Sequence, residues 1–341
     1  AFRFRSTPQL LVFFVTARCD CRCRMCFYLP RIAASDPSVE LTPDEAGRIF
    51  RGYGPLAYLK ITGGEPTLRP DLPELVLAAA GRRPRLVEVS TNGGRAEPLL
   101  DLAERFARAL PSSLLSVQLS VDGWGDLHDE IRGRPGLFER VRRTNRLLAA
   151  AAARLPNLRV EIVTVFSSGN AGRLEEFLDR VGEGFFFHRL ILTGVHGTAP
   201  EGARADVGGE AFRRLRLRVS ALNAAGARAP SSRLAVRFKE AKDRLVERWE
   251  SERNLGRFCG ALRRLGVLSE AGEVFACEPL WASLGNVRDH GYDLRAVLRS
   301  PAAREFARKL RRSDPPCHCS WSCAQTCALI GNPHFWPALL R

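Results

Sequence analysis

Short apolar runs and longer amphipathic segments alternate along the chain from residue 10 to residue 192. The apolar runs predict buried strands, and the amphipathic segments predict helices that lay one face on a sheet. This alternation is typical of a parallel sheet, either open or closed into a barrel. The predicted strands span residues 10–15, 57–61, 86–90, 114–120, 158–166 and 185–192, and the predicted helices span 42–52, 71–80, 97–110, 137–154 and 172–181.

The alternation stops after residue 194. Residues 197–209 are rich in Gly, Ala and Pro, which predicts a loop or linker. A second, shorter set of elements follows it. We expect helices at 210–224 and 233–252, a hairpin that pairs 267–268 with 274–276, and a last helix at 293–311.

The composition is that of an ordinary globular protein, with 45% hydrophobic and 26% charged residues in a chain of 341. No apolar run reaches the 18 residues that a membrane-spanning helix needs, so we expect no membrane segment. The first residues carry no apolar stretch followed by a small-residue cleavage site, and we therefore expect a cytoplasmic protein.

The formal net charge of +15 favours a polyanionic partner such as RNA. However, the arginines are spread from Arg3 to Arg341, whereas nucleic-acid binders concentrate their charge in one patch. Only four of the 52 basic residues are lysines, as expected if the charge reflects a compositional bias toward arginine. We therefore expect no nucleic-acid partner.

The ten cysteines form three groups, and none lies between residues 27 and 258. Thiols spaced this closely in a chain of this size favour a metal centre over a disulfide framework. An iron–sulfur cluster and a four-thiolate zinc site both suit such spacing. The first group is Cys19, Cys21, Cys23 and Cys26, the second is Cys259 and Cys277, and the third is Cys317, Cys319, Cys323 and Cys327.

Three cysteines of the first group form a C-x3-C-x2-C pattern directly after the first predicted strand, and further motifs follow the next strands in order. Together they resemble the radical S-adenosylmethionine (SAM) enzymes that carry C-terminal auxiliary clusters. The motifs are Cys19, Cys23 and Cys26; Gly63, Gly64, Glu65 and Pro66; Ser90 and Asn92; Ser120 and Asp122; Arg132; and Asn170.

The resemblance implies a partial (β/α)6 TIM-like barrel and a [4Fe–4S] cluster on Cys19, Cys23 and Cys26. Such a cluster cleaves SAM reductively, and the 5'-deoxyadenosyl radical abstracts hydrogen from a substrate. Gly63 and Gly64 would let the backbone approach the SAM methionine, because they have no Cβ. Glu65 would accept from the SAM ammonium. The resemblance places Pro66, Ser90, Asn92, Ser120, Asp122, Arg132 and Asn170 at the same cofactor.

Two residues depart from the family pattern. Met25 stands where an aromatic residue usually precedes the third cysteine, and a methionine also covers an apolar ring face. Cys21 is an additional thiol, which we expect to point away from the cluster as a small buried residue.

The later cysteines resemble the SPASM and twitch domains, which hold auxiliary iron–sulfur clusters. The six thiols available favour one auxiliary [4Fe–4S] cluster, on Cys259, Cys277, Cys323 and either Cys317 or Cys319. Cys327 is a further candidate metal ligand, and a second, three-thiolate cluster stays open. A role for Cys327 or Cys21 as a hydrogen donor to substrate also stays open. The expected domains are a radical SAM barrel over 1–205, a helical linker over 206–255 and the auxiliary domain over 256–341.

The resemblance implies a flavodoxin- or ferredoxin-type electron donor and leaves peptide, sugar and other natural-product substrates open. Dehydrogenation, crosslinking and epimerisation are all compatible with it. Two alternatives remain, an RNA-modifying radical SAM enzyme and a non-enzymatic iron–sulfur electron carrier. The second of these would have no use for the ordered SAM motifs.

Overall fold

The structure is a computed structural model that describes residues 7–195, 199–200, 202–207, 209–226, 259–278, 280–312 and 322–330. The predicted helix at 233–252 and the thiols Cys317 and Cys319 lie outside these residues. No described helix is long and apolar enough to cross a membrane.

Nine strands and eleven α-helices are described. The strands are β1 Leu10–Phe14, β2 Tyr58–Thr62, β3 Leu86–Thr91, β4 Leu114–Ser120, β5 Leu158–Phe166, β6 Arg189–Gly194, β7 Leu265–Leu268, β8 Glu273–Phe275 and β9 Ser283–Asn286. The helices are α1 Leu29–Ala33, α2 Pro43–Gly52, α3 Leu72–Leu77, α4 Glu97–Ala109, α5 Asp126–Arg132, α6 Leu137–Arg154, α7 Leu174–Gly184, α8 Glu210–Gly226, α9 Leu294–Leu298, α10 Pro301–Arg312 and α11 Ser322–Ile330.

The strands form one sheet in the order β6-β5-β4-β3-β2-β1-β7-β8-β9. Strands β1 to β6 are parallel to their neighbours, which confirms the predicted α/β fold with a parallel sheet, consistent with a partial TIM barrel. Strand β7 then pairs in parallel with the free edge of β1, and β8 and β9 continue antiparallel. The predicted hairpin therefore extends the barrel sheet, while the domain boundaries stay a prediction.

The two faces of the sheet differ in character. Every second residue of the parallel strands packs against the surrounding helices in a large apolar core, as Phe13, Leu59 and Val117 do. The alternate residues face the interior of the barrel. On β1 they are apolar and join a second core with the C-terminal segments, whereas on β2 to β6 many are polar.

Most predicted bounds shift by at most three residues, and two elements differ more, for identifiable reasons. The predicted strand at 185–192 begins only at Arg189, because the backbone N–H and C=O of Phe186 bond to the side chain of Asn145 on α6 instead (2.8 and 2.7 Å). The predicted helix at 293–311 is two helices, α9 and α10. Pro301 cannot donate to the preceding turn, so a new helix begins there, and Ser300 Oγ accepts from the N–H of Ala303 at 3.1 Å.

The C-terminal strands and helices are tied to the barrel by polar contacts. Tyr28 on the cysteine-bearing loop donates to Glu270 at 2.7 Å, and the backbone N–H of Leu41 donates to the carbonyl of Glu270 at 2.6 Å. Glu45 on α2 accepts from Arg288 at 2.8 and 3.1 Å. These contacts fix the C-terminal strands against the loop that carries the first cysteine group.

Candidate active site

The Gly63–Gly64 turn after β2 packs directly on the loop after β1. The N–H of Gly64 donates to the carbonyl of Thr16 at 2.8 Å. A Cβ at either glycine would lie closer than 3.0 Å to the carbonyl oxygen of Thr16 or of Arg18, which no real Cβ tolerates. The described structure thus requires these glycines for contact between two loops, whereas the sequence interpretation assigned their small size to a ligand.

Glu65 is buried, and protein donors already surround its carboxylate. Oε1 accepts from the backbone N–H of Thr67 (3.0 Å), from its hydroxyl (2.7 Å) and from the hydroxyl of Thr91 (2.6 Å), and Oε2 accepts from the N–H of Asn92 (2.7 Å). Burial raises the pKa of Glu65, and these bonds oppose the rise. Glu65 therefore joins the carboxyl ends of β2 and β3; its contact with a SAM ammonium stays a prediction.

The cysteine loop follows β1 and is held by backbone bonds to the end of α5. The N–H groups of Arg22 and Arg24 donate to the carbonyls of Arg132 and Ile131 at 2.9 and 3.1 Å. Within the loop, backbone N–H groups point at sulfur atoms: that of Cys21 at Cys19 Sγ and that of Tyr28 at Cys26 Sγ, both at 3.4 Å. Such bonds to sulfur are among the interactions that tune iron–sulfur ligands.

The expectation that Cys21 is buried is confirmed, but its expected orientation away from the thiols of the loop is wrong. Its thiol is buried, interacts with Cys19 and Cys23, and accepts from Asn92 Nδ2 at 3.2 Å. The hydrogen bond with Cys19, followed by burial, raises the pKa of the Cys21 thiol to about 12. Its orientation follows from Asn92, which binds Asp20 Oδ1 at 2.8 Å with the same amide and so holds this part of the loop at the end of β3.

The loop's donor atoms already converge. Cys19 Sγ, a carboxylate oxygen of Asp20 and Cys21 Sγ lie within 4.8 Å of one another, and Cys19, Cys21, Cys23 and Cys26 are free of disulfides. Asp20 also forms an ion pair with Arg134, which occupies part of its carboxylate. Of the three predicted cluster ligands, this convergent set contains Cys19 alone, and Cys23 and Cys26 lie on the same loop outside it. By donor chemistry, several soft thiols on a loop at the carboxyl end of a strand fit an iron–sulfur cluster.

A buried ion pair lies beside the thiols. Asp122, the second residue after β4, is fully buried; its Oδ2 is 2.5 Å from Arg132 Nη2, and its Oδ1 accepts from the N–H of Val165 at 2.8 Å. Arg132 Nη1 in turn points at Cys23 Sγ at 3.7 Å. Burial lowers the pKa of Arg132, but the charges of Asp122 and Cys23 outweigh it, so the guanidinium stays charged next to the thiols.

The remaining predicted SAM residues lie at the carboxyl edge of the sheet, in different roles. Asn170 uses its amide to join strand ends: Nδ2 donates to the carbonyls of Asp122 (2.9 Å) and Val165 (2.8 Å). Ser90 donates to Gln118 at 3.2 Å, and Ser120 is the half-buried last residue of β4. Pro66 is buried and begins a short 3-10 helix. Their contacts with SAM stay predictions.

His128 belongs to the series of motifs that resembles the family, but the sequence interpretation gave it no role. It is fully buried on α5, and its Nδ1 accepts from the N–H of Asp122 at 3.1 Å, so it orients the turn that carries the Asp122–Arg132 pair. Burial, followed by the charge of Arg132, lowers the pKa of His128 to about 3, which keeps the ring neutral. His128 lies four residues before Arg132, so both residues share one face of α5. This spacing is the sequence signal that could have identified His128 as a neighbour of Arg132.

The described auxiliary thiols lie on the interior side of the barrel. Cys277 belongs to the core formed by the inward-facing residues of β1 and β7, and Cys259, Cys323 and Cys327 pack against the same core. Cys323 and Cys327 are one turn apart on α11, and Cys327 interacts with Cys259. All four are free of disulfides, so the donor chemistry fits an iron–sulfur centre.

Comparison with known proteins agrees with this site. Residues 13–181 match the family described as the radical SAM superfamily. The mycofactocin maturase MftC of Mycobacterium ulcerans is 32% identical over 206 residues, which are 59% of this chain and 50% of that protein. The AdoMet-dependent heme synthase of Methanosarcina barkeri is 34% identical over 139 residues, 40% of this chain and 38% of that protein. The chain thus spans half or less of the length of these curated relatives.

Solved structures share the fold. Streptococcus suis SuiB bound to S-adenosylmethionine superposes with a TM-score of 0.60 and 18% identity over 89% of this chain and 68% of that one. anSMEcpe with bound AdoMet and a peptide superposes with a TM-score of 0.53 and 17% identity, over 89% and 83%. At these identities the likeness concerns the fold alone.

Proposed function

Because this chain belongs to the radical SAM superfamily and is an enzyme, we propose that it cleaves SAM at Cys19, Cys23 and Cys26 and modifies a peptide or small natural-product substrate inside the barrel. Members of the superfamily use a [4Fe–4S] cluster and SAM. The cluster, when bound, supplies the electron for the cleavage, and the resulting 5'-deoxyadenosyl radical abstracts hydrogen from the substrate.

One observation carries the proposal: Arg132 lies between a thiol of the first group and the buried carboxylate of Asp122. A guanidinium fixed in this way presents its remaining donors to an anion that approaches the thiols, and the carboxylate of SAM is such an anion. His128 and Asn170 hold the backbone around Asp122, so the pair is preorganised before any ligand binds.

We further propose that Cys259, Cys277, Cys323 and one of Cys317 and Cys319 hold one auxiliary [4Fe–4S] cluster. Three of these thiols are described, and they lie on the interior side of the barrel, on the core that also lines β1. A substrate in the barrel would then lie between the two thiol groups. This position suits a centre that takes up the electron left on a substrate radical, as an oxidation requires.

The substrate class follows from the relatives only as a proposal. Two of them are named as a maturase and a heme synthase, and one structural neighbour holds a peptide. We favour a peptide or a small natural product, and a flavodoxin- or ferredoxin-type protein as the electron donor. The charge of +15 does not change this choice, because the arginines are spread along the whole chain.

The test is anaerobic reconstitution of the full chain with iron and sulfide, followed by SAM and a strong reductant. We expect formation of 5'-deoxyadenosine and methionine, measured by chromatography. Cys26→Ala should abolish both, because it removes a ligand of the first cluster. Cys21→Ala is the matched control, since Cys21 lies in the same loop but is not one of the three proposed ligands, and it should retain most of the cleavage.

Equal 5'-deoxyadenosine from the wild type and Cys26→Ala would contradict the proposal. Iron content separates the auxiliary options: about eight irons per chain correspond to one auxiliary cluster, and about twelve correspond to two. A value near four would leave only the SAM-cleaving cluster.

A further inference from the structure

The first cysteine group holds four thiols, and the described structure brings all four onto one small core. Cys21 and Cys23 belong to this core together with Ile131 of α5, and Cys19 and Cys26 pack against it. An iron–sulfur cluster of the [4Fe–4S] type that is held by protein alone takes four cysteine thiolates, whereas the three proposed ligands leave one iron without a thiolate. The loop therefore offers as many thiols as a fully thiolate-bound cluster requires.

Cys21, the thiol outside the family pattern, lies beside a proposed ligand. Its Sγ is within 4.8 Å of Cys19 Sγ, and its backbone N–H points at the same sulfur at 3.4 Å. The residue is only 1% exposed, so solvent does not compete for the thiol. Asn92 Nδ2, from the end of β3, donates to Cys21 Sγ at 3.2 Å and fixes this orientation from outside the loop. The thiols of Cys19 and Cys21 can therefore reach the same cluster.

Asp20, which stands between these two cysteines, is already engaged by protein groups. Its Oδ1 accepts from Asn92 Nδ2 at 2.8 Å, and its other carboxylate oxygen forms an ion pair with Arg134. Carboxylate oxygens are also harder donors than sulfur, and iron–sulfur clusters take thiolates. The donor that remains beside Cys19 is therefore Cys21 Sγ rather than the carboxylate of Asp20.

From these contacts we propose that Cys21 is the fourth ligand of the [4Fe–4S] cluster in this loop while SAM is absent, and that SAM displaces it. The inference rests on the cluster proposed above for Cys19, Cys23 and Cys26. On displacement the bond between iron and Cys21 Sγ breaks, the thiolate takes up one proton from solvent, and the same iron binds SAM. No electron moves in this exchange. With SAM bound, Cys21 is no longer a ligand, which is why Cys21→Ala should still cleave SAM.

The consequence is protection of the iron that SAM later binds. Because cysteine thiolates hold such clusters, an iron without a thiolate is the most weakly bound of the four. Mild oxidation removes that iron and leaves a [3Fe–4S] cluster, which gives an electron paramagnetic resonance signal that the intact oxidised [4Fe–4S] cluster does not give. Cys21 therefore keeps the cluster complete until SAM arrives.

The experiment uses the full chain, reconstituted anaerobically with iron and sulfide and kept free of SAM. Wild type, Cys21→Ala, Asp20→Asn and Cys26→Ala are treated with ferricyanide as a mild oxidant, and the [3Fe–4S] signal is quantified by electron paramagnetic resonance. Cys26→Ala lacks a proposed ligand of the first cluster, so its signal gives the contribution of any other cluster and is subtracted.

We expect Cys21→Ala to lose the fourth iron and the wild type to retain it. Asp20→Asn is the matched control, because it changes the neighbouring residue of the same loop and keeps all four thiols, and it should stay near the wild type. Mössbauer spectroscopy of the wild type gives a second readout. An iron with a ligand other than sulfur should appear in the loop's cluster only after SAM is added, whereas in Cys21→Ala it should be present before.

Retention of the fourth iron in the wild type and Asp20→Asn, with its loss in Cys21→Ala, supports the inference. Equal loss in the wild type and Cys21→Ala overturns it and leaves the SAM-cleaving cluster standing, and so does equal loss in Asp20→Asn and Cys21→Ala. If the wild type and Cys26→Ala bind the same amount of iron before oxidation, the first cluster itself is overturned, and this inference with it. Should Cys21→Ala bind no cluster, the Mössbauer spectra of the wild type with and without SAM decide.

Discussion

The hydroxyl of Tyr28 donates to Glu270 Oε2 at 2.7 Å and joins the loop of the first cysteine group to the turn between β7 and β8. Both side chains are buried, and Trp281 packs on the Tyr28 ring at 5.6 Å between centroids. Trp281 also contacts Phe275, two residues before Cys277. One short set of contacts therefore joins the neighbourhoods of the two thiol groups.

Tyr28→Phe tests this link. We expect the free energy of unfolding to fall by about 1–3 kcal/mol, because a buried carboxylate loses a donor. The measurement is denaturant unfolding of the iron-free protein. Tyr53→Phe is the control: it removes a bond to the carbonyl of Pro8 (2.8 Å), away from both thiol groups. Only Tyr28→Phe should speed the reaction of Cys277 with a thiol reagent; equal rates in both variants would contradict the link.

The close approach of Gly64 to Arg18 makes a second prediction. Gly64→Ala places a Cβ against the Arg18 carbonyl and should destabilise the protein by at least about 1–3 kcal/mol, because backbone cannot move aside cheaply. Gly81→Ala is the matched control, since no atom lies within 4 Å of its Cβ position. Denaturant midpoints compare the two. Similar stability of both variants would show that the loops after β1 and β2 are not in this contact.

The buried ion pair of Asp122 and Arg132, which lies beside Cys23, makes a third prediction. Asp122→Asn leaves the guanidinium of Arg132 buried without its anion and should cost about 3–5 kcal/mol. Glu130→Gln, by contrast, breaks an exposed pair with Arg24 (3.0 Å) and should cost about 1 kcal/mol or less. Unfolding measured at one pH and salt concentration compares them. A small effect of Asp122→Asn would mean that Arg132 does not depend on this carboxylate.

Stability should also depend on pH through Glu45. Hydrogen bonds from Arg288 lower the pKa of Glu45 from 4.5 to about 2, and bonds from Thr42 and Tyr292 add to this despite partial burial. A depressed pKa stabilises the fold above the unfolded value, so this contribution is present above about pH 4.5 and is lost as the pH falls toward 2. Because solvent screens part of the interaction, we expect about 1–2 kcal/mol at neutral pH.

The measurement is the difference in unfolding free energy between the wild type and Glu45→Gln at several pH values. The difference should shrink between pH 4.5 and pH 3. Glu139→Gln, an exposed residue paired with Arg142 on α6, serves as the control and should show no such trend. A difference for Glu45→Gln that stays constant over this range would contradict the role of its carboxylate charge.

Much of the barrel is predictable from the sequence, because local patterns determine it. Strands β4 and β5 and helix α6 have the predicted bounds, since uninterrupted apolar or amphipathic runs define them. Pro301 is the sequence signal for the break between α9 and α10, because a proline within a helical pattern ends a helix or begins a new one. The pairing of β7 with β1 joins residues about 250 positions apart, and no local pattern encodes such a register.

The site was predictable in outline but not in its internal contacts. Cys19, Gly63, Ser120 and Asn170 lie at the carboxyl ends of β1, β2, β4 and β5, and this order places them at one edge of a parallel sheet, as the structure does. The orientation of Cys21 depends on Asn92, a residue of another strand end, and spacing cannot reveal it. Charged residues in alternate positions of β2, β3 and β5 were a readable signal, because such strands expose one face to a polar interior.

The pairing of β1 with a strand on each side has a consequence for how the barrel sheet can close. Strand β2 occupies one edge of β1 and β7 occupies the other, so among the described strands β6 has no partner across the gap and keeps an open edge. Pairing β6 directly with β1 would require breaking the β1–β7 ladder. Among the described strands, the topology therefore excludes a barrel closed by direct pairing of β6 with β1.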